Sequence, residues 1–232
     1  MKTIELYNLL YLLLPLIIVW YFYKLWVEDS YEIINSTIRM IIQLLLIGYV
    51  LLFIFDNENY ILGIFILLFM ILVSAYIARR NIKNKSKYEY LLILTSLSIS
   101  GLIHLIIIIL LVLKLENIYV PQYVIPIAGM LFSNIMNSLS LGIERFEMEY
   151  NRTKDYIQAR DIAFKASMIP QINSLLVVGI VSLPGMMTGQ ILSGIDPLIA
   201  VRYQIMIMEV ILSSSGISII IYFLLKRKSI SN

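Results

Sequence analysis

The stretch "YLLILTSLSISGLIHLIIIILLVL", Tyr90–Leu113, contains no charged residue and exceeds the roughly 20 apolar residues that a transmembrane helix needs. Similar runs recur along the whole chain, which is 60% hydrophobic and only 14% charged. Ordinary soluble domains carry about 25% charged residues. The sequence therefore predicts an all-α integral membrane protein, with a single transmembrane domain over residues 1–232.

Hydropathy and flanking residues divide the chain into about seven predicted spans. These are Ile4–Trp26, Thr37–Phe55, Tyr60–Ile77, Tyr90–Leu113, Tyr123–Gly142, Gln171–Leu192 and Leu198–Leu225. The loop Arg79–Lys87 carries five basic residues and no acid, which predicts a cytoplasmic position. Counting from this loop places the N-terminus outside, and both Glu144–Lys165 and the C-terminus in the cytoplasm. We expect a multi-pass protein of the plasma membrane.

Several function classes are disfavoured by composition. The chain has no Cys, which excludes disulfides and thiolate metal sites. It has no G-x-x-x-x-G-K-[ST] phosphate loop and no soluble catalytic constellation, so we expect neither an enzyme nor a cofactor bound by this chain. The net charge is only +3 and the basic residues lie between apolar runs, so we expect no nucleic-acid partner.

Small and polar residues form a stripe on one face of the predicted fifth span, at Gly129, Ser133, Asn137 and Ser140. Such a stripe is typical of helix packing, in which small residues permit close approach and amides bond across the interface. Amide carbonyls can also replace part of a cation's hydration shell. For Asn134, Asn137 and, in the sixth span, Asn173, both interpretations stay open.

The block "SLPGMMTGQILSGIDP", Ser182–Pro197, combines helix breakers with apolar surroundings. Gly185, Gly189 and Ser193 are spaced by four residues, which predicts a packing face on one helix. Pro184 cannot donate a backbone hydrogen bond, so it predicts a kink within a continuous sixth span.

The last span holds two ionisable residues, Arg202 and Glu209, on one helix face. We favour a structural pair or an inter-helix hydrogen bond over a cation or proton site. Asp196 is predicted to cap the start of this helix, with Pro197 at its first position. His104 lies alone in the quoted stretch, which favours a hydrogen-bonded structural role over a ligand.

The segment Glu144–Lys165 is the only loop long enough to carry structure of its own. It can form a helix that extends from the fifth span and returns into the sixth, or a docking surface for a cytoplasmic partner. Its candidate docking residues are Phe146, Tyr150, Ile157, Arg160 and Phe164.

Three blocks resemble the permease subunits of the Fet-type ABC transporter family, which includes bacterial iron exporters and plant aluminium-sensitivity membrane proteins. They are "RMIIQLLLIGYVL" (Arg39–Leu51), "VPQYVIPIAGMLFSNIMN" (Val120–Asn137) and "IPQINSLLVVGIVSLPGMMTGQILSGIDPLIAVRYQIM" (Ile169–Met206). The resemblance implies a permease that pairs with a separate ATP-binding subunit and exports metal ions or another small solute, and we expect it to work as a homodimer.

The residue patterns above and the resemblance together indicate a substrate pathway along the fifth, sixth and last spans. Its candidate residues are Asn134, Asn137, Asn173, Met186, Met187, Thr188, Gln190, Gln204 and Glu209. A packing or gating role is implied for Gly129, Ser133, Pro184, Gly185, Gly189 and Ser193. The chain departs from the family in Glu144–Lys165, which is shorter and lacks a Leu-x-Leu-Gly-Ala-Thr-like element, and at Glu209, where an apolar residue is expected.

An ATP-independent cation channel or secondary carrier is the alternative function. In that case Glu209 and His104 would handle cations or protons.

Overall fold

Nearly every apolar run forms a helix in the computed structural model, which describes residues 4–27, 29, 31–56, 59–80, 82 and 85–230. Six helices within these ranges are long and apolar enough to cross a membrane. The described residues divide into two units, Met1–Asn57 and Glu58–Asn232. The prediction of an all-helical, multi-pass membrane protein is confirmed.

The first unit is a pair of helices, α1 (Leu13–Val27), which follows a 3-10 helix at Leu6–Leu12, and α2 (Tyr31–Asp56). The Asp29 carboxylate accepts backbone N–H bonds from Tyr31 at 2.9 Å and from Glu32 at 3.1 Å. These bonds satisfy amides that the start of α2 would otherwise leave unpaired. The Tyr23 hydroxyl donates to the Glu32 carboxylate and ties α1 to α2.

The second unit contains α3 (Tyr60–Ala78), α4 (Lys87–Ile107), α5 (Pro121–Thr153), α6 (Tyr156–Val177), α7 (Gly185–Leu192) and α8 (Pro197–Ile230). α4 continues into a π-helical turn at Ile108–Val112. α5 lies at the centre and packs against α3, α4, α6 and α8. Its buried side chains, among them Phe132, Ile135 and Leu139, form much of the core.

The close helix contacts use different glycines from those predicted. A Cβ on Gly101 of α4 would lie 2.4 Å from Phe132 Cε1, and one on Gly142 of α5 would lie 2.8 Å from Ile219 Cδ1. By contrast, a Cβ on Gly185 or Gly189 would meet no described atom within 4 Å. At its two glycines the predicted packing face therefore has no close contact with the part of the chain that the structure describes, and its role against a second copy stays a prediction.

Three other predicted packing residues make only ordinary contacts. A Cβ on Gly129 would lie 3.5 Å from Met70 Cε, which is a normal van der Waals distance. The exposed Ser133 donates to the Met130 carbonyl of its own helix at 3.1 Å, and Ser193 donates to the Gly189 carbonyl at 2.8 Å.

The prediction of a continuous sixth span over Gln171–Leu192 is wrong. α6 ends at Val177, and α7 begins only at Gly185, with Pro184 in an extended conformation before it. Gly179 adopts a φ of 82°, which side-chain-bearing residues rarely adopt. Proline also disfavours helix at the residue before it, so the chain turns rather than kinks between α6 and α7.

Asp196 caps α8 as predicted. Its carboxylate accepts the Leu198 N–H at 2.7 Å, and its carbonyl accepts the N–H groups of Ile199 and Ala200 at 3.0 Å. α8 begins at Pro197, which suits the first helical position because its nitrogen has no hydrogen to leave unpaired.

Candidate functional site

The break between α6 and α7 satisfies its own backbone. The N–H of Gly179 donates to the Ser182 carbonyl at 2.9 Å, and the N–H of Val181 donates to the Val177 carbonyl at 2.8 Å. Irregular backbone at membrane depth is tolerated only where its polar groups find partners or line a cavity. The polar groups of this loop find partners within the loop and at the end of α6, and its first residues, Val178 and Gly179, also line a cavity.

A cleft of about 330 Å³ lies between the end of α6, the loop, α7 and α8. Its lining includes Val178 and Gly179 from the loop, Met187 from α7, and Gln204, Met208 and Glu209 from α8. Discontinuous helices that frame such a cleft are the usual setting of substrate and ion sites in transporters. Three predicted pathway residues, Met187, Gln204 and Glu209, therefore lie together in one cleft.

Gln204 is the best-placed polar group of the cleft. The residue is only 6% exposed, and its Oε1 is fully buried with no hydrogen-bond partner among the described residues. Oε1 of Gln190, in α7, is buried and unpaired in the same way. Leaving a buried acceptor unpaired costs about 1–3 kcal/mol. The carbonyl oxygen of Gln204 is therefore an unsatisfied acceptor in a residue that lines the cleft.

Glu209 is exposed at the rim of this cleft. Within the described residues its carboxylate makes no ion pair, and only its backbone carbonyl is bonded, by the Ser213 hydroxyl at 2.9 Å. The predicted structural pair with Arg202, which is also exposed, is therefore not formed. The carboxylate adds a negative charge next to the oxygen and sulfur atoms of the cleft.

The other predicted pathway residues do not line the cleft. Asn134 donates to the Met130 carbonyl of its own helix at 2.8 Å, while Asn137 and Asn173 are exposed. Thr188 donates to the Leu183 carbonyl at 3.2 Å, and Met186 packs against the core. None of the three asparagines lines the cleft, and their proposed contact with a substrate stays a prediction.

His104 has the structural role that its isolation predicted. It is buried, and its Nδ1 is 2.7 Å from the carbonyl oxygen of Ser100. The Ser100 hydroxyl donates to the Ser214 carbonyl at 2.7 Å and so joins α4 to α8. A further buried bond, from the Gln171 amide to the Ser138 hydroxyl, joins α6 to α5 and was not predicted.

The segment Glu144–Lys165 forms a helical hairpin, hereafter the hairpin, which confirms one of its two interpretations. α5 runs on to Thr153, Lys154 adopts a left-handed conformation with a φ of 56°, and α6 begins at Tyr156. Asp155 caps α6 by accepting the N–H of Ile157 at 2.8 Å. The hairpin is thus a rigid continuation of α5 and α6.

Aromatic packing joins the hairpin to α8. Phe146 is 2% exposed and lies with its ring centroid 5.5 Å from those of Tyr150 and Tyr156 and 5.3 Å from that of Phe223. The Tyr156 hydroxyl donates to the Phe223 carbonyl, and burial raises the pKa of this phenol. Phe146 is therefore a core residue of this chain, and its contact with a partner stays a prediction.

A groove of about 290 Å³ lies beside this packing, between the start of α6 and the end of α8. Its lining residues include Arg160 and Phe164 of the hairpin and Phe223, Leu224 and Arg227 of α8. Of the other predicted docking residues, Ile157 is 54% exposed on the hairpin and Tyr150 is half-buried. Arg160, Phe164 and Ile157 thus keep surface that a partner can contact.

Glu89 is a buried charge that the sequence reasoning missed. It is 1% exposed near the start of α4 and accepts hydrogen bonds from the Tyr222 hydroxyl and the Lys226 ammonium group of α8. The Ser86 hydroxyl also accepts the Glu89 N–H at 3.1 Å and caps α4. The S-x-x-E spacing is a signal that could have marked this helix start.

Comparisons with known proteins identify a family and several relatives of this chain. Residues 3–230 match the family described as UPF0014, an uncharacterised protein family. The chain is 34% identical to the UPF0014 membrane protein YjkA of Bacillus subtilis over 95% of both proteins. It is 33% identical to the probable iron export permease protein FetB of Escherichia coli, over 82% of this chain and 78% of that protein. It is 31% identical to Protein ALUMINUM SENSITIVE 3 of Arabidopsis thaliana, over 81% and 72%. No solved structure matches the chain.

Proposed function

We propose, since the chain belongs to the UPF0014 family of membrane proteins, that it is the permease subunit of an ABC-type exporter that moves metal ions out of the cytoplasm. ATP is bound and hydrolysed on a separate subunit, and the permease works as a homodimer. The name of one relative, a probable iron export permease, supports iron or a chemically similar ion as the substrate.

The observation that carries this proposal is the cleft between the broken helix and α8. It offers the unpaired Gln204 carbonyl oxygen, the Glu209 carboxylate and the thioether sulfurs of Met187 and Met208. Oxygen ligands suit hard cations and thioethers suit soft ones, so a mixed set suits a borderline ion such as Fe²⁺. Conduction also requires binding weak enough for release. A site with a single carboxylate meets that requirement.

The hairpin is the proposed docking site for the ATP-binding subunit. Arg160 and Phe164 line its groove, and Ile157 presents an exposed apolar side chain. α8 extends from this groove to the cleft, and the Tyr156–Phe223 hydrogen bond ties it to the hairpin. Movement of the hairpin on ATP hydrolysis can therefore tilt α8 and change the cleft.

Inverted membrane vesicles test the proposal, since export from the cytoplasm becomes uptake into the vesicle. Vesicles from cells that co-express the chain with its ATP-binding protein should take up Fe²⁺, kept reduced with ascorbate, only when ATP is present. Absence of ATP-stimulated uptake, with both proteins detected in the vesicles, would refute an ATP-driven exporter.

A pair of variants tests docking separately. Ile157→Glu places a charge on the exposed hairpin and should abolish co-purification of the ATP-binding protein. Met148→Glu is the matched control, because Met148 is 55% exposed on the same hairpin but, unlike Ile157, is not next in the chain to a residue that lines the groove. Equal co-purification with both variants would show that docking occurs elsewhere.

The exposed Glu209 carboxylate at the cleft supports a second candidate, an ATP-independent channel or carrier. Fe²⁺ flux into vesicles that contain only this chain, lost in Glu209→Gln, would favour this function. Flux that requires both ATP and the ATP-binding protein would exclude it.

A further inference from the structure

A second groove, of about 680 Å³, lies between α5 and α6 where the two helices enter the hairpin. It is lined by two basic residues, Arg145 and Lys165, and by apolar residues that include Leu141, Ile162, Ile169 and Pro170. These residues are distinct from those of the cleft and of the docking groove.

The groove is amphipathic along its length. Arg145 and Lys165 belong to the hairpin, whereas Leu141 and Ile169 lie within or next to the predicted fifth and sixth spans. Leu141 is 38% exposed and Ile169 is 48% exposed, so apolar surface continues from the basic end toward the membrane. An amphipathic surface at the boundary of a span has the polarity profile of a phospholipid.

The basic end carries an excess of positive charge. Arg145 Nη2 binds a Glu149 carboxylate oxygen at 2.8 Å, but the same carboxylate also binds Arg152 at 2.7 Å. One carboxylate therefore serves two guanidinium groups. Lys165 is exposed and makes no ion pair with any described residue.

Among the described residues, the lining of the groove contains no acidic residue to offset this charge. Asp161 of α6 is bonded by Arg160 at 2.7 Å, and both line the docking groove instead. An anion bound in this groove can pair with the Lys165 ammonium group and with the guanidinium nitrogens of Arg145 that do not bond Glu149.

We propose that this groove binds an anionic phospholipid of the cytoplasmic leaflet. The phosphate of the headgroup lies against Lys165 and Arg145, and the first part of an acyl chain lies along Leu141 and Ile169. Basic pockets between membrane helices on the cytoplasmic side hold anionic headgroups in this way. Because the lipid contacts both helices of the hairpin, its binding stabilises the hairpin independently of any ATP-binding subunit.

The test uses the full chain purified in detergent and titrated, by microscale thermophoresis, with short-chain phosphatidylglycerol or phosphatidylcholine of equal acyl length. The unmodified protein should bind phosphatidylglycerol more tightly, and Lys165→Gln should weaken that binding about fivefold, as expected for one basic residue at an anionic surface. Lys165→Arg, which keeps the charge, should retain the binding.

Lys85→Gln is the matched control, because Lys85 is exposed and predicted to be cytoplasmic but lies outside the groove. It should bind phosphatidylglycerol as the unmodified protein does. Equal binding of the two lipids, or equal losses in Lys85→Gln and Lys165→Gln, would overturn the proposal. Full competition by inorganic phosphate at the same concentration would also overturn it, because the site would then recognise a free anion rather than a lipid.

Discussion

Replacement of Gln204 by Met separates a structural role of this side chain from a role in transport. Met has nearly the same length as Gln but no carbonyl oxygen. In the protein the Gln204 Oε1 is buried without a hydrogen-bond partner among the described residues. Removing an acceptor that is buried and unpaired eliminates a desolvation penalty of about 1–3 kcal/mol. We therefore expect Gln204→Met to raise the free energy of unfolding by roughly 1 kcal/mol or more.

The same change should slow transport. A hydrogen-bonding group that interacts with a charge contributes about 1.5–3 kcal/mol. Loss of one oxygen ligand should therefore reduce Fe²⁺ uptake at subsaturating concentration by about 10- to 100-fold, since each 1.4 kcal/mol corresponds to a factor of ten. A variant that is more stable but less active is the expected sign of a functional group that the fold itself does not need.

Thermal unfolding in detergent, followed by intrinsic fluorescence, reports the first quantity, and ATP-dependent Fe²⁺ uptake by inverted vesicles reports the second. Gln122→Met is the control, because Gln122 is exposed near the start of α5 and does not line the cleft. It should leave both quantities unchanged. If Gln204→Met unfolds more easily and transports normally, the carbonyl is a structural group and the cleft is not the pathway.

Three further predictions concern the stability of the second unit and are tested by thermal unfolding. Gly101→Ala should lower the free energy of unfolding by about 1–3 kcal/mol, because the new methyl group overpacks the contact with α5, whereas Gly189→Ala should not. Dissociation of a dimer by Gly189→Ala would instead show that this glycine packs against a second copy. Lys226→Met should cost about 3–5 kcal/mol, since it leaves Glu89 buried without its cation, and adding Glu89→Gln should restore part of the loss. Equal unfolding of the single and double variants would contradict that account. Asp196→Ala should cost about 1 kcal/mol through loss of the helix cap, and an unchanged midpoint would contradict the cap's contribution.

The features that could be predicted from sequence depend on local composition. Apolar length and charge placement located most spans, and the alternating charges of Glu144–Lys165 indicated the helical hairpin. The cap at Asp196 follows from the preference of helix starts for this side chain. These properties need no knowledge of which helices become neighbours.

The sequence did not predict the break in the sixth span, because the strongest helix-breaking residue, Pro184, lies away from the point where the helix ends. Pro184 indicated a kink at its own position, but the helix ends seven residues earlier, at Val177. Gly179 was the available local signal, since its positive φ permits the turn that follows. Sequence spacing alone does not determine whether such a glycine continues a helix or ends it.

The other features that the sequence did not predict depend on contacts between distant parts of the chain. Burial of Glu89 depends on Tyr222 and Lys226, and that of Phe146 depends on Phe223. The glycines that permit close approach are likewise selected by the register of facing helices, which local spacing does not contain. For the same reason Gln204 could be named as a candidate, but its unpaired carbonyl could not be foreseen.

The loop between α6 and α7 has a consequence for motion. Its amides at Gly179, Val181 and Ser182 bond to carbonyls at Val177 or within the loop itself. A rotation of α7 about this loop therefore breaks no hydrogen bond from these amides to α7 or α8, and its cost lies in the packing of α7 against α8. We expect α7 to rotate about this loop, so its backbone amides should exchange hydrogen with solvent faster than those of α5. Equal exchange in both helices would show that α7 is held as firmly as the core.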